Sequence, residues 1–241
     1  MAEYDRQTLN ARAGSALAID EGLRSYMLRV YNYMGLGLVV TGVVAYFTSQ
    51  WAMASQANAE LLYTSPLAWV VMLAPLGFVL VLSFGINKLS VPAAQGIFWA
   101  FAAVMGLSLS SIFLVYAGAS IAKVFFITAA TFGAMSLYGY TTKRDLTSVG
   151  NFLIMGLIGL IIASIVNIFL ASSMLDFAIS VLGVLIFVGL TAYDTQKIKE
   201  SYSEHYGADI LAKNAIMGAL SLYLDFINLF LMLLRLFGNR E

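Results

Sequence analysis

The chain has 241 residues, of which 61% are hydrophobic and 11% charged. Ordinary globular chains are about 45–50% apolar and about 25% charged, so this composition argues against a soluble protein and for an integral membrane protein built as one helical bundle. Net charge is zero, which speaks against a nucleic-acid footprint, and the absence of cysteine removes disulfides, thiolate metal sites and cysteine nucleophiles.

Residues 1–25 are polar and mixed in charge, and read as an N-terminal arm ahead of a transmembrane domain over residues 26–241. The arm holds no apolar stretch of about 7–15 residues, as a signal peptide requires. The first membrane helix is therefore expected to act as its own insertion signal. Crossing about 30 Å of hydrocarbon takes roughly 20 apolar residues. Such runs lie at Val30–Ser49, Pro66–Ile86, Ala93–Tyr116, Lys123–Thr141, Val149–Leu170, Leu175–Asp194 and Asn214–Leu234. The runs are apolar on both parities and twice the length of a barrel strand, so they are read as helices. The expected fold class is all-α, a polytopic protein with seven transmembrane helices.

With the N-terminus cytoplasmic, ten of the thirteen Lys and Arg residues fall on the inner side, as the positive-inside rule asks. Glycines recur on the first, fifth and sixth runs (Gly35, Gly37, Gly42; Gly156, Gly159; Gly183, Gly189) and are read as close-packing positions. Asn167 reads as an interhelical hydrogen-bonding residue. His205, the lone histidine, reads as a solvated loop residue.

Two acidic residues break the oily runs. Asp194, in "GLTAYDTQKI", ends the sixth run. Asp225, in "SLYLDFINLF", has eleven uncharged residues before it and nine after. A charge at the centre of a spanning helix costs roughly 2.5–3.5 kcal/mol on insertion scales, so such residues are functional candidates. From position alone, Asp194 is either half of a site or a helix-end residue that is solvated or paired with Lys197. Asp225 is either the other half or a structural group, held by a hydrogen bond or paired with a neighbour such as Lys88 or Arg29. Helical spacing adds Ser221 and Asn228 to the face of Asp225. If the two carboxyls meet, they would share a proton and form a weak calcium site. Calcium wants 6–8 oxygens, and the pair supplies at most four. Lys88, near the end of the second run, either reaches the pair or snorkels to the headgroups.

"AYDTQKI" followed by "ALSLYLDFINLFLMLLRLFG" resembles the signature of the Bax inhibitor-1 (transmembrane Bax inhibitor motif) family. "FGAMSLYGYTTKRDLTSVGNFLIMGLIGLI" and "VNIF" are similar to its proteobacterial inner-membrane branch. The resemblance implies a seven-helix bundle with the seventh helix central. It implies a pH-sensitive calcium leak through an aspartate dyad, matched here by Asp194 and Asp225, with calcium as the transported ion and no cofactor. In some bacterial members a basic side chain near the end of the second helix engages the dyad; the local candidate is Lys88. The alternative that the resemblance implies is a non-conducting regulator that restrains the membrane-anchored ATP-dependent protease; the polar N-terminal arm is read as the place for that contact. An intramembrane aspartyl protease is the enzyme alternative, since it too uses paired aspartates. Asp225 lacks the flanking glycines of "GxGD", and no "PAL" motif follows, so no enzymatic activity is expected.

Overall fold

A computed structural model describes residues 2–239, with side chains from residue 21 onward. The side chains of residues 1–20, most of the polar arm, lie outside the described residues. Within them the chain forms helices and no strand: α1 (Ala2–Met53), α2 (Gln56–Tyr63), α3 (Pro66–Gly85), α4 (Val91–Leu109), α5 (Ile112–Val115), α6 (Gly118–Thr141), α7 (Thr147–Leu170), α8 (Ser173–Glu200) and α9 (Ala208–Phe237). Seven stretches are long and apolar enough to span a membrane: residues 21–53 of α1, α3, α4 with α5, and α6 to α9. All seven match the runs read from the sequence.

Serine and proline set the helix starts. Ser65 Oγ accepts from Leu67 N at 3.1 Å, with Pro66 in the first turn of α3. Ser90 Oγ accepts from Ala93 N at 3.4 Å, ahead of Pro92 in α4. Such caps satisfy amide groups that have no partner within the helix. α7 ends at Ala171, which takes a left-handed conformation with φ of 47°. Asn167 Oδ1 there accepts from Ser172 N at 3.0 Å. Asn167 thus holds the α7–α8 turn through a backbone amide.

Two differences from the expected spans stand out, and the first affects the site. α8 does not stop at Asp194 but continues to Glu200. The charged residues of "DTQKIKE" remain helical because Lys197 and Lys199 lie in the last turn, where cations favour the carbonyl end of the helix dipole. The connection over residues 50–64 contains α2, an extra short helix capped by Ser55.

α9 packs against α1, α3, α4, α6 and α8. Of its most apolar window 72% is buried, against 33% or less in each of the other six spans. Those six turn residues such as Trp69, Phe84, Phe152 and Phe169 outward, as a lipid-facing surface requires. α9 crosses the whole bundle, about 45 Å at 1.5 Å per residue. At its far end Ala117 N donates to Asn239 O at 3.1 Å and Asn239 N donates to Ser120 Oγ at 3.0 Å. Arg235 lies 3.6 Å from Asp176 at the start of α8. The end of α9 therefore lies on the face opposite the 201–207 turn.

Candidate functional site

The extension of α8 and the start of α9 at Ala208 form a helical hairpin that brings Asp194 and Asp225 together. Their carboxyl groups lie within hydrogen-bonding reach of each other. Asp225 is only 5% exposed, and its Oδ2 has no hydrogen-bond donor among the described residues. Asp194 is half-buried. An unpaired buried carboxylate is costly, and two that face each other in a dry interior are relieved by sharing one proton.

Asp194 opens onto a cleft of about 260 Å³ lined also by Lys197, Ser201, Asn214, Gly218 and Ser221. Its mouth lies on the side of the 201–207 turn. Lys197, exposed one turn along α8, acts on Asp194 electrostatically without forming an ion pair. In the other direction along α9 the pair meets an aromatic cluster with α6. Phe226 packs edge-to-face on Phe125 and Phe132, with centroids at 5.4 Å and 5.5 Å, and Phe230 meets Phe125 at 6.3 Å. The pair thus sits between a polar cleft and an aromatic cluster.

Ser221 lines the cleft with Asp194, whereas Asn228 Nδ2 donates to Leu224 O at 2.8 Å on its own helix. Lys88 is exposed on the turn after α3, and Arg29 is exposed on α1. Neither forms an ion pair with Asp225 among the described residues. His205 is exposed, 3.9 Å from Glu204. No third His, Asp or Glu joins the two aspartates as a metal-ligating cluster among the described residues. Further oxygen donors in reach of a cation are the hydroxyl and amide groups of the cleft.

Several positioning residues were not singled out from the sequence. Gln196 ties α8 to the 142–146 turn: its Oε1 accepts from Leu146 N at 2.8 Å and its Nε2 donates to Arg144 O at 2.9 Å. Thr195 bonds Ser136 of α6 at 3.0 Å, and Ser136 in turn bonds Tyr31 of α1. Tyr223 bonds Thr41 at 2.6 Å, and Thr41 Oγ1 donates to Ala102 O at 2.8 Å. Their signal was a polar group inside an oily run, which is weaker than a charge.

Residues 23–241 match the family described as "Inhibitor of apoptosis-promoting Bax1". The chain belongs to the Bax inhibitor-1 family. Among its relatives in that family, an uncharacterized protein of Rickettsia prowazekii is 52% identical over 92% of both chains. The Escherichia coli inner membrane protein YbhL is 50% identical over 95% of this chain and 98% of its own. An uncharacterized membrane protein of Streptococcus pyogenes is 37% identical over 92% of this chain and 96% of its own. For this Bax inhibitor-1 chain, the two aspartates lie in the two final helices of the matched region.

Proposed function

We propose that this protein is a pH-sensitive calcium leak of the inner membrane, a transporter and not an enzyme, with its N-terminus on the cytoplasmic side. The single observation that carries the reading is the contact of Asp194 with Asp225 at the base of a polar cleft. With one proton between them, the carboxyls hold α8 to α9 and the bundle is closed. With none, two negative charges in a medium of low dielectric repel each other, loosen the α8–α9 contact and attract a cation. Asp194 and Asp225 then supply up to four oxygens. Water, Ser221 and neighbouring cleft groups supply the rest of a calcium shell. So incomplete a site binds weakly, and weak binding lets an ion leave as well as arrive.

The inner-membrane placement is supported by seven spanning helices and by the relative named an inner membrane protein in Escherichia coli. The cytoplasmic N-terminus is supported by the Lys/Arg bias. Lys88, exposed on its turn, is read as a headgroup-facing residue rather than a dyad partner. Restraint of a membrane-anchored protease depends on the polar arm, and no contact in the described residues favours it over the leak.

The test is calcium uptake by proteoliposomes holding the purified protein, measured from pH 5 to pH 8. Uptake should rise with pH as the shared proton is lost. Uptake no greater than that of protein-free vesicles at every pH would overturn the reading.

A further inference from the structure

α1 and α6 both lean on α9, yet a groove of about 510 Å³ lies between them. Its two ends differ in chemistry. At one end stand Arg24 and Tyr140. Arg24 is exposed and has no carboxylate partner among the described residues. Lys199 adds a second cation there, with its Nζ 2.8 Å from Tyr140 O and 5.3 Å from the Tyr140 ring centroid. Arg29 is exposed on the next turn of α1, and the acidic residues near this end are Glu21 and, beside Lys199, Glu200. Among the described residues the cations Arg24, Arg29 and Lys199 outnumber these two acids.

The helices run antiparallel, so Met27, Leu28 and Leu137 come next, and Phe132 and Gly133 lie about 10 Å deeper, seven to eight residues along either helix. Leu28 and Leu137 are more than half exposed. Gly133 has open space where a side chain would stand. The floor is closed by the Tyr31–Ser136 hydrogen bond. A cationic mouth at one membrane face above an apolar trough open to the hydrocarbon is the complement of an anionic amphiphile.

We propose that this groove binds one anionic glycerophospholipid, its phosphate on Arg24 and an acyl chain against Leu28, Leu137 and Phe132. The charge selects the headgroup, because a zwitterionic lipid carries an ammonium that opposes Arg24 and Lys199. The trough fixes the position, because a surface arginine alone would hold any anionic lipid loosely. The chain would rest on the Tyr31–Ser136–Thr195 hydrogen bonds, one residue from Asp194, so the site lies at the back of the α8–α9 hairpin. Lipid binding here does not depend on ion conduction.

The experiment is native mass spectrometry of the full-length protein in detergent with added phosphatidylglycerol or phosphatidylcholine. The wild type should retain one phosphatidylglycerol in preference to phosphatidylcholine. Arg24→Gln should lower that retention about fivefold, the order expected for one basic residue at an anionic surface. Gly133→Leu fills the open trough and should lower it comparably. Gly159→Leu on α7, also a glycine facing open space, should leave it unchanged. Equal retention of the two lipids by the wild type would overturn the proposal. So would loss with Arg24→Gln but not with Gly133→Leu, which would mean a headgroup held at the surface without the groove. Unfolding curves of the variants that coincide with wild type confirm that the losses are local.

Discussion

Gly139 and Gly150 set the position of Asp194. A methyl group on Gly139 would stand 2.2 Å from the carbonyl oxygen of Ala192, and one on Gly150 would stand 2.3 Å from the Tyr193 ring. α6 and α7 therefore clamp α8 at the two residues before the aspartate. The obstacle at Gly139 is backbone, which cannot swing aside as a side chain can. Gly139→Ala should destabilise the bundle by roughly 1–3 kcal/mol, the usual cost of overpacking, visible as a lower thermal midpoint in detergent. An unchanged midpoint would show that α8 can shift without cost. These two glycines were not picked out from the sequence; of those that were, Gly37, Gly156, Gly183 and Gly189 face a neighbour within 3.3 Å of an added methyl, while Gly35, Gly42 and Gly159 have nothing within 4 Å. Small residues announce close packing only where a partner helix lies opposite, and the partner is set by tertiary structure. Charge was easier to read. Asp194 and Asp225 stood out because a carboxylate in an oily run needs a reason.

At the scale of elements, the decisive feature is the length of α8. Hydropathy ends the sixth run at Asp194, since "TQKIKE" is polar. The helix continues because its backbone bonds, the terminal lysines and the grip of Gln196 on the 142–146 turn outweigh that polarity. Sequence could place seven helices but not tell that the sixth carries its aspartate inside the bundle. The same turn supplies a control for any pH effect. Asp145 Oδ1 accepts from Thr147 N at 2.8 Å, and hydrogen bonds from Thr147 hold this fully exposed carboxyl below its ordinary range. A depressed carboxyl contributes above its unfolded value, near pH 3.9, and loses that contribution as pH falls through the lower folded value. From pH 5 to pH 8 its state is constant. Asp145→Asn should therefore leave the calcium-uptake profile unmoved over that window. A displaced profile would remove the assignment of the pH response to the α8–α9 pair.

Across the whole molecule, one helix is treated differently from the rest. α9 is the most buried of the seven spans, while the other spans expose apolar side chains. A helix wrapped on most sides can carry a carboxylate whose environment the protein controls, and α9 carries Asp225 in its buried set. The aromatic contacts of Phe125, Phe132, Phe226 and Phe230 lie beyond Asp225 along α9, and the cleft lies at Asp194 on the other side. In the proposed leak, the pair is the latch of a closed bundle. Closure then requires one proton between the two carboxyls. Asp225→Asn replaces a removable proton with a fixed amide donor, which can hold Asp194 at any pH. The most direct measurement is calcium uptake by proteoliposomes carrying wild type or Asp225→Asn, compared from pH 5 to pH 8. Uptake should rise with pH for the wild type and stay low and flat for the variant. Identical profiles for the two proteins would contradict this.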